Sequence, residues 1–213
     1  ANVLAYHQRR LSELVFAQME KNYDEGEVEY EAQVSSGFIT LGPSSFTAPK
    51  GSAEQSFRDR PADLSKIKSI VFKGFAKCLY PKQKYDSDPE RVFSIILEDD
   101  ARVLKWFKPA RKQVEIYMRG GVPYEPDFVV ETADYKYLCE PKMRKEIKSD
   151  EVQEKAQAAA QWCVHASAHA AEHGTKPWKY ALIPHDTIDQ AKSFHGLVEN
   201  FLVEAASIDE PAV

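Results

Sequence analysis

Cysteine is scarce in this chain. Cys78, Cys139 and Cys163 are the only three in 213 residues, they stand far apart, and no Cys-x-x-Cys pair occurs. Such a set builds neither a zinc ribbon nor a disulfide framework, and reduced thiols in a cytoplasmic protein are the expectation. Long apolar runs are also missing. No stretch reaches the roughly 20 residues of a membrane span, and no signal-peptide pattern opens the chain. An excess of positive charge is absent too, since 28 Lys and Arg against 33 Asp and Glu leave a net −5. Nothing then attracts nucleic acid globally, and any such binding must come from local basic clusters. No Walker-type phosphate loop is found, so the chain has no means of its own to couple ATP to movement along a polymer. The first residue is Ala rather than Met, which reads as a processed product or a piece of a longer polypeptide.

What is present suffices for one good core, or one core with a small appendage. Residues Val3 to Tyr23 carry an apolar helical stripe, namely Leu4, Leu11, Leu14, Val15 and Met19. After a turn at Asp24-Glu25-Gly26, alternation over Val28–Val34 and again over Phe38–Leu41 predicts a hairpin. Ser, Pro, Gly and charges dominate Gly42 to Pro61, which reads as a loop or linker. A helix is expected from Pro61 to about Leu79 with Leu64, Ile67, Ile70, Val71 and Phe75 on one side, followed by a basic turn over Lys77–Lys84. Ser87-Asp88-Pro89-Glu90 has the form of a capping box and opens a further helix with Phe93, Ile96, Leu97 and Leu104 as apolar positions. Glu98, Asp99 and Asp100 read as its solvated end.

The most informative stretch is Tyr124 to Lys142. Two short apolar runs, Phe128-Val129-Val130 and Tyr137-Leu138-Cys139, flank a polar turn, the pattern of a β-hairpin. Alternation sets Leu138, Glu140 and Lys142 on one face. Pairing of the runs brings Asp127 to the Glu140 end, so two carboxylates and an ammonium converge at one corner of a sheet. Carboxylates about 4 Å apart repel by roughly 4 kcal/mol at an effective dielectric near 20. A hard divalent cation such as magnesium or manganese relieves that repulsion. A preceding strand over Gln113–Arg119 is expected to join the hairpin in a three-stranded meander.

Beyond the hairpin, Asp150 to His173 reads as a helix with Asp150 and Gln153 as a capping box and Gly174 as its stop. Its thin face of Val152, Ala156, Ala159, Cys163, Ala166 and Ala170 suits close packing on a sheet. Trp178–Pro184 reads as a buried strand parallel to Lys136–Lys142, because a helix of that length is the usual crossover. Asp186 is expected to cap a last helix bearing Ile188, Ala191, Leu197, Val198, Phe201 and Leu202.

Pro126-Asp127 followed by Glu140-Pro141-Lys142 resembles the PD-(D/E)xK nuclease superfamily. The flanking segments Ser87–Phe93, Leu97–Asp100, Val103–Pro109, Lys155-Ala156, Ala159–Cys163 and Leu182–Asp186 extend the likeness over roughly Asp63 to Ala205. Together they are similar to the C-terminal endonuclease region of type III restriction subunits and related helicase–nucleases. The resemblance implies an α/β fold, an α/β/α sandwich around a mixed sheet of the restriction-endonuclease kind. An N-terminal helix and hairpin (1–60) would lead from an upstream helicase into a nuclease domain (61–213). It implies hydrolysis of DNA with Mg2+, for which Mn2+ can substitute. The metal ligands would be Asp127, Glu140, the Pro141 carbonyl and, through a water, Glu90. Lys142 would stand beside the attacking water, and Glu98 is the fallback for Glu90. Pro141 removes a sheet donor, so a bent or edge position is expected there. Implied partners are DNA, an ATPase domain and a methyltransferase subunit. Basic residues suited to DNA are Lys105, Lys108, Arg111 and Lys155, within clusters at Lys66, Lys68, Lys73 and Lys77, at Lys105–Lys112 and at Lys142–Lys148.

Two other readings compete. One is a nuclease fold that only binds DNA or protein. The other is a zinc enzyme using His165, His169 and His173, spaced four apart along one helix face.

Overall fold

A computed structural model of the chain describes residues 10–18, 41–118 and 121–206. The chain divides into two compact units, Ala1–Gly37 and Phe38–Val213. In the first, residues 10–18 are helical (α1), with Leu11, Leu14, Val15 and Phe16 exposed. The predicted hairpin over Val28–Leu41 lies outside the described residues, apart from Leu41 itself.

The second unit is mixed α/β. Its main sheet has four strands: β4 (Val103–Phe107), β7 (Phe128–Thr132), β8 (Lys136–Lys142) and β9 (Trp178–Pro184), in the spatial order β4-β7-β8-β9. The first two pairings are antiparallel, whereas β8 and β9 are parallel. That parallel step needs a crossover, supplied by α3 (Arg144–Ile147) and α4 (Asp150–Glu172).

Alternation along the strands separates two cores. Trp106, Phe128, Val130, Tyr137, Cys139, Ala181 and Ile183 face α2 (Asp88–Asp99) and α5 (Phe194–Phe201). Val129, Leu138, Tyr180 and Leu182 face Val152, Ala156, Ala159 and Cys163 of α4. The alanines let α4 lie close on the sheet, and Gly174 ends it with φ +61, a conformation that suits glycine.

Several expectations are corrected. The predicted linker contains β1 (Glu54–Ser56), which pairs in parallel with β2 (Val71–Lys73). The helix over 61–79 does not form. A 3₁₀ turn at Leu64–Ser69 gives way to β2, where buried Val71 and Phe72 suit a strand. Gly74, at φ +100, then redirects the chain. The four lysines at 66, 68, 73 and 77 therefore share no helix face. In the predicted basic turn, β3 (Lys82–Gln83) pairs with β2. Leu104 is an exposed residue of β4, not a helix position. The segment before the hairpin yields only β5 (Ile116–Tyr117), which pairs with β6 (Pro123–Tyr124) in a separate two-stranded sheet rather than extending the β7–β8 hairpin. α4 is capped by Ser149, whose Oγ accepts from Val152 N, not by Asp150. α5 is capped by Ser193, and Asp186 instead accepts from Arg144 Nε at 2.6 Å.

Candidate functional site

β7 and β8 pair with Phe128 opposite Cys139, so Asp127, one residue before β7, falls at the level of Glu140. The backbone N–H of Asp127 donates to Glu140 Oε2 at 3.2 Å, and the Tyr124 hydroxyl donates to the same oxygen at 3.1 Å. On the same strand face, Lys142 Nζ lies 3.7 Å from Glu140 Oε1. Because β7 begins only at Phe128, β8 has no paired strand on that flank at Pro141, while β9 continues alongside it with Ile183. β8 is an interior strand, yet its last residues have an edge on that flank, and Pro141 forfeits no bond to β7.

Asp127 retains some solvent contact, and its carboxylate accepts no hydrogen bond among the described residues. Burial, then the Glu140 charge, push its pKa well above the usual carboxylate range, with Lys108 and Lys142 opposing. Glu140 is likewise raised by burial, against the pull of Lys142 and its two hydrogen-bond donors. Tyr124 is raised by burial and by the Glu140 charge, so its hydroxyl keeps the proton it donates.

From the other sheet face, Glu90 and Lys108 approach the same corner. Ser87 Oγ caps α2 and donates to Glu90 Oε1 at 2.9 Å, while Asp86 N donates to Glu90 Oε2 at 3.3 Å. This is the predicted capping box, a feature worth about 1 kcal/mol. Lys108 Nζ also donates to Glu90 Oε2. Glu90 is thus cap, ion-pair partner and a charge sensed by Asp127.

Glu98 is no solvated helix end. It is buried, and accepts from Ala76 N at 2.8 Å, Lys77 N at 2.9 Å, Cys78 N at 3.1 Å and Trp106 Nε1 at 2.8 Å. Those bonds commit it to fastening residues 76–78 beside β4. Asp99 does reach solvent, in a pair with Arg58 at 2.6 Å.

Of the basic residues, Lys105 and Arg111 are exposed, and Lys155 pairs with Glu151 at 2.6 Å. Lys108 is instead largely enclosed within the corner. Strand alternation carried the signal for this. Lys108 is two residues from the core residue Trp106 and so shares its inward face. Tyr124 had no comparable signal, because its hydroxyl meets Glu140 only through the β5–β6 ribbon. The rings of His169 and His173 stack 4.0 Å apart at the C-terminal end of α4, where His173 is the residue after the helix. Among the described residues, no three His, Cys, Asp or Glu side chains form a metal cage.

The corner holds three carboxylates, Glu90, Asp127 and Glu140, against two ammonium groups, Lys108 and Lys142. One negative charge is left over when all are ionised. Two of these carboxylates have oxygens that could ligate a hard cation: that of Asp127 accepts no hydrogen bond among the described residues, and only Oε2 of Glu140 is hydrogen-bonded. No protein-family model matches this chain, and no curated protein matches its sequence.

Proposed function

We propose that this protein carries a magnesium-dependent DNA endonuclease of the PD-(D/E)xK kind with a restriction-endonuclease-like fold, the nuclease portion of a type III restriction-like helicase–nuclease. The observation that carries this reading is the β7–β8 register, which sets Asp127 level with Glu140 and puts Lys142 on the Glu140 face at 3.7 Å. Asp127, Glu140 and the Pro141 carbonyl would hold the metal. Bound there, magnesium supplies Lewis acidity toward a phosphoryl oxygen and acidifies water. A divalent charge turns the surplus of one negative charge into one positive, which complements the single charge of a phosphodiester.

The chain's own groups have distinct tasks. Asp127 and Glu140 are ionised to bind. Tyr124 and the Asp127 N–H fix the rotamer of Glu140. Lys142, partly exposed at the mouth of the corner, donates to the oxygen of the attacking water and to a non-bridging phosphate oxygen as charge develops there. Hydrolysis adds water across a P–O bond: the water loses a proton and the departing alkoxide gains one. Lys145 and Lys148, exposed just beyond β8, are placed in the sequence to meet neighbouring phosphates.

The test is cleavage of plasmid and linear DNA with and without magnesium, with Asp127→Ala as control. Calorimetric titration with magnesium separates an enzyme from a module that only binds DNA. Full cleavage in chelator, or no magnesium site, would overturn the proposal.

A further inference from the structure

Lys108 belongs by sequence to a basic surface cluster, yet its side chain is only 13% exposed. It is also held on several sides. Its ammonium donates to Glu90 Oε2 and lies 4.9 Å from the centroid of the Phe128 ring and 5.6 Å from that of Tyr85. Both rings are fully buried. Glu90 in turn is fixed by Ser87 and Asp86. A lysine confined this way cannot sweep along a DNA backbone. It is a fixed positive charge on the residue that follows β4, level with Phe128, which starts β7.

We infer that Lys108 is a tethered counter-cation of the acidic corner, a positioning residue that occupies part of the electrostatic role of the divalent ion and opposes its binding. This rests on the reading of Asp127 and Glu140 as metal ligands. Geometry supports it first: the β4–β7 register sets Lys108 level with Phe128, the neighbour of Asp127, and its ammonium lies against the Phe128 ring, while Lys142 stands 3.7 Å from Glu140. The charge of Lys108 acts on both Asp127 and Glu140. Lys108 is held as one half of an ion pair with Glu90. Two cations sharing one partly buried site repel, and removing one raises the affinity for the other. A metal-free corner without Lys108 would in turn be left with uncompensated carboxylates.

The experiment measures Mn2+ binding to the full chain without DNA, by the EPR signal of free manganese, for the wild type, Lys108→Met, Lys108→Arg and Asp127→Ala. The expected result is binding roughly tenfold tighter in Lys108→Met, near wild-type affinity in Lys108→Arg, and loss of the site in Asp127→Ala. Metal should also raise the thermal midpoint of Lys108→Met by more than that of the wild type. Lys108→Gln, which keeps a donor for Glu90, gives the same comparison if Lys108→Met fails to fold. Unchanged or weaker manganese affinity in the neutral variants overturns the inference. So does unchanged affinity accompanied by weaker duplex binding in calcium, which would make Lys108 a phosphate contact. Wild-type manganese binding by Asp127→Ala overturns the underlying metal-site reading instead, so the two failures are told apart.

Discussion

The N–H of Asp127 reaches across the hairpin to Glu140 Oε2 at 3.2 Å, so the backbone of one acidic residue orients the side chain of the other. Tyr124 shares that oxygen. Tyr124→Phe therefore leaves Glu140 one of its two anchors. We expect a stability loss of about 1 kcal/mol and a fall in cleavage rate on the order of tenfold, read from urea midpoints and plasmid nicking. A rate loss as large as that of Asp127→Ala would assign Tyr124 a direct part in the reaction.

Asp127→Ala and Glu140→Ala should abolish magnesium-dependent cleavage while circular dichroism stays native. Lys142→Ala should slow it about 10²- to 10³-fold, the usual size of a lost transition-state donor, and keep metal and DNA binding. Manganese should support turnover, whereas calcium, with its larger and looser shell, should bind and support little. Wild-type cleavage by Lys142→Ala would remove Lys142 from the mechanism.

Glu98 makes a contrasting prediction. Its carboxylate holds three backbone N–H groups and the Trp106 indole. Glu98→Ala leaves the buried Trp106 indole and three part-buried backbone N–H groups without their acceptor, at a cost of about 3 kcal/mol. Chemical denaturation measures it. If the folded fraction of Glu98→Gln binds manganese as the wild type does, Glu98 is outside the metal site.

Much of this was legible in local sequence pattern. The alternation of Phe128–Thr132 and Lys136–Lys142 specifies the hairpin register, and hence the meeting of residues 127 and 140. Ser87 and Glu90 announce their helix through capping chemistry. Long-range relations were not legible. The segment Leu64–Phe75 has helical spacing, but the parallel pairing of Val71–Lys73 with Glu54–Ser56 and the turn at Gly74 override it. Glu98 looks like part of an acidic run until the loop at residues 76–78 folds onto it. The inward direction of Lys108 needs only the strand face of Trp106, but that face is known only once β4 is located.

Metal-free stability should depend on pH in a particular direction. Burial and the Glu140 charge raise the folded pKa of Asp127 above its ordinary value of 3.8. A raised carboxyl binds its proton more tightly when folded, so its stabilising contribution is complete below about pH 4 and is lost as pH rises through the folded value. In chelator, the urea midpoint should fall as pH rises above the ordinary carboxylate range, and Asp127→Asn should flatten that slope. An equal slope in both proteins would show that Asp127 is not the group responsible.

The thiols should be inert in the native state. Burial pushes Cys78 up to about 11 and Cys163 up to about 12, and raises Cys139 well above its ordinary range. At pH 8 the thiolate fraction is on the order of one in a thousand or less. Iodoacetamide should label none of the three within minutes, and all three after unfolding in urea. Rapid native labelling followed by mass spectrometry would expose a thiol that this structure buries.

The antiparallel turn between β7 and β8 has a practical consequence. Ala133 and Asp134 are exposed at the end of the hairpin opposite Asp127 and Glu140. Residues 135–139 lie between Asp134 and Glu140, a separation of roughly 20 Å. That turn is accordingly the natural attachment point for a fluorophore, an affinity handle or a spliced peptide. A reporter there would ride on the same rigid ribbon as the acidic corner while staying clear of any polymer that enters it.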